Sequence, residues 1–288
     1  MKIGFGSQLW LGYDNFQGFP RMLDEMSLVG LDGFEMCYPL VIEKYERRVG
    51  ELRTLLAMHD LELASYYTGC SFADPARMQP EAEEVRRRCR FLAELGSQFI
   101  LLDGGLKLAG EAPAQLQDRI AWIADQANEL AAYANSCGIT LAWHQHWGSI
   151  FEVEENLHRL MALTDPALVK FCPDVGQLAL CGFDPVAIVQ RYADRVGFVH
   201  YKDVTFAGRP QGELWPGGPA GLQAAGRQGA RPGARLQRRG AVRDDRLLAG
   251  GLRREHGQNE GLTGKVQHHQ AGHRLSQRHA IAGAQFLL

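Results

Sequence analysis

Three times between Ile139 and Asp203 a short apolar run ends in residues able to bind a metal, and this recurrence restricts the fold more than any other feature of the chain. ITLAWHQH ends in His144 and His146, LVKFCPD in Asp174, and VGFVHYKD in His200, Lys202 and Asp203. Thirty residues separate His144 from Asp174 and 26 separate Asp174 from His200, the length of one strand, one helix and two short loops in a β/α repeat. Parallel neighbouring strands put their carboxyl ends on one rim, so these side chains converge where β/α barrels build active sites. A single histidine at a strand end is as readily a hydrogen-bonded structural residue as a ligand. Three ligand-bearing strand ends in succession favour one metal site made of His144, Asp174 and His200. Imidazole with carboxylate suits a divalent ion, with Mn or Co expected first, Zn or Fe as alternatives, and Mg less suited because it prefers all-oxygen shells.

Upstream, the chain continues the same alternation. KIGFGSQ, LDGFEMC, LELASYY and SQFILLDGG read as four strands. Between them, residues 18–29, 43–59 and 81–95 have helical spacing, and a longer helix spans about Pro113 to Ser136. Shorter helices are expected at about Val153 to Leu163 and Pro185 to Asp194. Seven strands alternating with helices argue for a parallel sheet, and for an α/β (β/α)8 barrel lacking its closing eighth β/α unit. The Arg86, Arg87, Arg88 and Arg90 cluster reads as a solvated helix face, since Glu81, Glu83, Glu84 and Glu94 offset it. Asp103, Gly104 and Gly105 form a loop without the spacing of a dinucleotide or phosphate loop.

After Ala220 the composition changes. Residues 221–288 hold 12 of the 31 Lys and Arg but 4 of the 33 Asp and Glu, a net of +8 against −10 before them, and Phe286 is their one aromatic. The expected division is therefore a barrel domain over 1–220 and a basic Gly/Arg/Gln-rich tail over 221–288. The tail reads as disordered, or as the product of a GC-rich gene translated out of frame. Six cysteines without a C-x-x-C pair imply a reducing, cytoplasmic setting. No signal-peptide pattern and no run of about 18 apolar residues occurs, so no membrane partner is expected. The acidic barrel part argues against a nucleic-acid partner, and nothing indicates an oligomeric state.

WHQHWGSIFEVEENLHRLMALTDPALVKFCPDVGQLALCGFDP followed by VGFVHYKDV resembles the xylose-isomerase-like barrels, the sugar phosphate isomerase/epimerase superfamily, and within them the inosose dehydratases. The resemblance covers roughly residues 1 to 218. His144, His146 and Gly148 match that family's His-x-His followed by Gly, and His200, Lys202 and Asp203 match its His-x-Lys-Asp. The Asp-x-Gly-His of the sixth strand stands here as Asp174, Val175, Gly176 and Gln177, with the final His replaced. The family's eighth-strand Glu ligand has no counterpart.

The resemblance implies a small polyhydroxylated ketone or keto-sugar as substrate, with α-proton abstraction to an enediolate stabilised by the metal. Dehydratases, isomerases and epimerases share that step and differ in the fate of the enediolate. Candidate acid/base residues are His146, Lys202 and Glu35; His146 would otherwise be an additional metal ligand, Lys202 and Asp203 a structural ion pair, and Glu35 an exposed loop acid. Trp10, Trp143 and Trp147 are candidates for an apolar wall against a sugar ring, with Asp203 also placed near substrate; barrel packing is the alternative for the tryptophans. Competing functions are a sugar (phosphate) isomerase or epimerase, an Fe(II) oxygenase, and an inactive truncated homologue or binding protein.

Overall fold

Apolar strand runs alternating with amphipathic helices can bury both kinds of apolar surface in one way: helices outside, strands inside. The computed structural model of the chain, described over residues 2–10, 17–202, 204 and 285–287, has that arrangement. Its strands are β1 (Ile3–Gly6), β2 (Gly33–Met36), β3 (Glu62–Cys70), β4 (Phe99–Gly104), β5 (Thr140–His144), β6 (Val169–Cys172), β7 (Val199–Tyr201) and β8 (Gln285–Leu287). The helices are α1 (Phe19–Leu28), α2 (Leu40–Tyr45), α3 (Val49–Met58), α4 (Pro75–Leu95), α5 (Pro113–Ser136), α6 (Glu154–Leu163), α7 (Val175–Cys181) and α8 (Pro185–Arg191).

Strands β1 to β6 pair in parallel with their sequence neighbours. Single parallel bridges, Phe171 to Val196 and Asp174 to His200, bring the seventh strand segment beside β6. The sheet thus continues around to β7, and β8 fills the place between β7 and β1. It runs antiparallel to both: Leu287 faces Ile3 on one side and Val199 on the other, and Gln285 faces Phe5 and Tyr201. A barrel lacking its closing β/α unit, as expected from the sequence, would leave the first and seventh strands with unpaired edges; here both are paired by β8. The three residues at the end of the tail are enough to supply backbone partners, although no parallel eighth β/α unit is present among the described residues. The expected disorder of the rest of the tail concerns positions outside them.

Local chemistry sets most helix starts. Asp74 accepts from Ala76 N at 2.9 Å and Asp184 from Val186 N at 2.9 Å, satisfying amides that a helix leaves open at its first turn. Proline stands within the first two positions of α1, α4, α5 and α8, where its missing N–H costs nothing. The Asp74 cap starts α4 at Pro75, six residues before the sequence pattern places it, and the helix runs through Pro80. The expected helix over 43–59 is two helices, α2 and α3, separated at 46–48.

Inside the barrel, Ala64, Leu101, Ala142, Cys172 and Phe198 form a buried apolar plug, packed by Tyr67 and Phe99. Side chains alternate faces along a strand, so the next inward position toward the carboxyl end lies two residues on. Leu101 is followed by Asp103, Ala142 by His144, Cys172 by Asp174 and Phe198 by His200. A plug of apolar side chains below and polar ones above therefore follows from the strand period. Where β2 pairs with β3 the register shifts, with Phe34 opposite Leu63 and Glu35 opposite Ser65. Ala64 is the extra residue of this bulge, a device that re-aims side chains next to active sites.

Phe198 is 1% exposed and meets the Phe99 ring edge-on at 5.5 Å. Phe198→Ala is expected to lower unfolding stability by about 3 to 5 kcal/mol, measured as a shift of the urea midpoint at constant slope.

Candidate metal centre

The carboxyl ends of β2, β5, β6 and β7 bring Glu35, His144, Asp174 and His200 together below the solvent surface, each no more than 2% exposed. Asp174 is placed most firmly. It follows β6 and is the cap of α7: its Oδ1 accepts from Gln177 N at 3.0 Å, which fixes the carboxylate and turns Oδ2 into the barrel. Around Oδ2 stand His144 Nε2 at 3.2 Å, His200 Nδ1 at 3.5 Å and the Lys202 ammonium in hydrogen-bonding contact. Gly176 makes this approach possible, because a Cβ there would lie 2.7 Å from Lys202 Cβ.

Glu35 occupies the other side of His200. Its Oε2 accepts from Ser65 Oγ at 2.9 Å and lies 3.2 Å from His200 Nε2, while Oε1 receives the weaker Cys37 thiol at 3.8 Å. At 0% exposure its environment differs from that of the exposed loop acid considered from sequence.

Burial alone would neutralise these groups, yet they hold one another charged. Burial raises the Asp174 pKa, but Lys202 and the hydrogen bonds from His144 and His200 outweigh it and bring the carboxyl well below its usual range. Burial likewise opposes ionised Glu35, and His200 overcomes it. For His200 and Lys202 burial disfavours the cation, while Glu35 and Asp174 respectively restore it and raise both pKa values. His144 differs: burial dominates and its pKa falls to about 3, leaving a neutral imidazole with a lone pair.

One donor atom each from His144, Asp174 and His200 lies within 4.8 Å of the others. Ligands of a first-row divalent ion, at bonds of about 2.0 to 2.2 Å, stand roughly 3 to 4.4 Å apart, so these three donors can share one ion after sub-ångström adjustment. The Nδ1 of His144 is buried without a hydrogen-bond partner among the described residues. A neutral imidazole with an orphaned nitrogen, beside two ionised carboxylates, fits a divalent cation.

Above this centre, His146 and Trp147 are half-buried on the rim. His146 Nδ1 faces the Trp147 carbonyl at 2.6 Å, so it must donate, and the Gln177 amide nitrogen meets His146 Nε2 at 3.3 Å. Gln177 Oε1 accepts from Trp147 N at 3.0 Å. Gln177, noticed in the sequence as a departure from a pattern, thus orients His146. Gly148 adopts φ of 92°, a left-handed conformation that turns the chain after the His-x-His pair.

Two of the proposed tryptophans lie elsewhere. Trp143 is adjacent to His144 and points to the opposite face of β5, fully buried against Phe72 and Phe151 at ring distances of 5.9 and 5.2 Å. The structure does not bring it to the centre. Trp10 packs on Phe5 at 5.8 Å and donates to Glu25 at 2.6 Å, tying the end of the first strand segment to α1. Asp203 lies outside the described residues. Tyr67 and Asp103, to which no motif in the sequence gives a role, join in a hydrogen bond at the ends of β3 and β4; the edge of the Tyr67 ring meets His144 at 5.1 Å. Burial raises the pKa of Asp103 and puts that of Tyr67 well above its usual value.

Fold and site together define a β/α barrel with a cluster of donors that could hold a divalent metal at the carboxyl ends of its strands. The chain belongs to the xylose isomerase-like TIM barrel family, whose model matches residues 23–221. It is 30% identical over 219 residues to the inosose dehydratase of Geobacillus kaustophilus, covering 70% of this chain and 69% of that one. The inosose dehydratase of Clostridium perfringens is 29% identical over 220 residues, 71% of each. Among solved structures, a probable 3-DHS dehydratase, AsbF from Bacillus anthracis, aligns with a TM-score of 0.59 at 16% identity, over 72% of this chain and 75% of that one. The IOLI protein with a bound zinc atom aligns with a TM-score of 0.60 at 14% identity, over 72% and 74%. Among the described residues no helix is long and apolar enough to cross a membrane.

Removing one partner of a buried ion pair leaves the other charge uncompensated. Asp174→Ala is therefore expected to destabilise the metal-free protein by about 3 to 5 kcal/mol. Adding Lys202→Met should recover part of that loss, as read from denaturant midpoints in the presence of chelator.

Proposed function

We propose that this chain is a metal-dependent lyase that removes water from an inosose-like ketone. The observation that carries this reading is the convergence of His144, Asp174 and His200 on one point at the barrel rim, in a chain about 30% identical to inosose dehydratases. These three residues would hold the ion. When bound there, a divalent metal supplies Lewis acidity, polarising the substrate carbonyl and stabilising the negative charge left by the α-proton. Mn or Co is the expected ion, on the basis of the mixed nitrogen and oxygen donors.

The remaining steps fall to the protein. His146, held through Nδ1 by the Trp147 carbonyl, would accept the substrate proton at Nε2 on the half-buried rim, in place of the 3.3 Å contact from the Gln177 amide. Lys202 donates hydrogen bonds to oxygen as negative charge develops there. Glu35 has no exposed surface and acts through His200, accepting its Nε2 proton and so directing the other nitrogen toward the metal position. Trp147 stands at the rim, where a ring can be covered.

The family match stops at residue 221, next to the change in composition. This supports reading residues 221–288 as a sequence foreign to the family, translated in another frame, even though Gln285–Leu287 pairs with β1 and β7. The nucleotide sequence around codons 215–225 tests it, since a normal barrel end in an adjacent frame is the expected result.

Chelation should abolish turnover of an inosose, and Mn or Co should restore it. Proton NMR should show loss of water, whereas rearrangement without water loss would place the enzyme among isomerases or epimerases. Asp174→Asn should weaken metal binding by more than about 100-fold, and Glu35→Gln by about 10- to 100-fold, both measured by calorimetry. Full activity in the chelated protein would overturn the reading.

A further inference from the structure

The metal donors use the rim at β5, β6 and β7, with Glu35 supporting them from β2. Between β2 and β5 lie the ends of β3 and β4, and there the structure places a second polar device. Tyr67 and Asp103 lie in the same inward register as His144: Tyr67 pairs with Leu101, and Asp103 follows Leu101 by two residues. The Tyr67 hydroxyl donates to Asp103 Oδ2, and its ring is held edge-on to His144 at 5.1 Å.

A carboxylate in this position needs a reason. No Lys or Arg pairs with Asp103 among the described residues; the nearby arginines are committed elsewhere, Arg88 to Glu84 and Thr68, and Arg119 to Glu111 and two carbonyls. Its one hydrogen-bond donor is a neutral phenol, which takes Oδ2 and leaves Oδ1 without a donor among the described residues. Space for Oδ1 comes from Gly69, opposite Asp103 in the sheet: a Cβ there would come within 2.4 Å of that oxygen. Asp103 and Tyr67 are half-buried and Gly69 is exposed, so the pair opens toward the mouth of the barrel. An oriented carboxylate oxygen with its lone pairs unused is an acceptor for a hydroxyl donor.

We propose that Asp103, oriented by Tyr67 and given room by Gly69, accepts a hydrogen bond from a substrate hydroxyl remote from the reacting carbonyl. It thereby sets the preference for a cyclic polyol ketone over ligands that lack that hydroxyl. This assignment rests on the inosose reading above. It adds a specificity contact on the part of the rim that the metal donors leave unused, and it explains a carboxylate that no Lys or Arg pairs with among the described residues.

The test uses the full chain loaded with Mn, an inosose, and the set of its monodeoxy analogues. Asp103→Asn and Asp103→Ala should leave the urea midpoint and the Mn dissociation constant within twofold of wild type. They should lower kcat/KM for the inosose by about 10- to 100-fold, the range for a hydrogen bond to a charged group, with the loss falling mainly on KM. Tyr67→Phe should lose less, because it frees the carboxylate without removing it. One monodeoxy analogue should be used equally well by wild type and by Asp103→Asn, identifying the hydroxyl that is read. If wild type processes the inosose and both Asp103 variants match it, or if every deoxy analogue loses equally in the variants, the assignment is overturned and the functional reading stands. If wild type binds Mn but neither binds nor converts any inosose, the functional reading falls and this assignment with it.

Discussion

A carboxylate with no access to water must be neutralised where it stands, and Asp174 is the group around which this is done. Its Oδ1 is used by the backbone of α7 and its Oδ2 by Lys202, His144 and His200, so a single side chain ties a helix start to two strand ends. The second carboxylate, Glu35, draws β2 and β3 into the same network through His200 and Ser65. The low dielectric that makes each charge costly also makes each contact strong. Geometry and charge are therefore fixed together, which is what a preorganised centre requires.

Much of this was legible in sequence because a barrel converts spacing into position. Intervals of 30 and 26 residues place His144, Asp174 and His200 on neighbouring strand ends before any coordinate is known. What spacing does not convey is facing. Trp143 and His144 are adjacent in a strand and so must point to opposite faces. They cannot both line the site, and the structure sends Trp143 into the helix-side core. Tyr67 and Asp103 were open to the same argument, since Asp103 continues the inward series Phe99 and Leu101. The bulge at Ala64, which shifts β3 against β2, has no clear sequence signal and hides the parity of Ser65 and Tyr67.

The eighth position shows a different limit. From composition, the tail lacks the β-branched run of a barrel strand, and indeed no parallel unit occupies the gap among the described residues. Gln285–Leu287 closes it in the opposite direction, which needs backbone hydrogen-bonding capacity more than any pattern of side chains. An edge accepts whatever extended segment reaches it, and such pairing is hard to foresee from residue types.

Strand β5 has a consequence for how such a chain can vary. On one face it carries Trp143, the largest fully buried side chain among the described residues, and on the other His144, whose Nε2 faces the Asp174 carboxylate. Replacing either residue damages one compartment. Deleting or inserting a single residue in β5 would exchange the compartments, sending indole into the mouth and imidazole into the oily layer beneath the helices. Over these five residues the protein is far less tolerant of a change in length than of a change in letter.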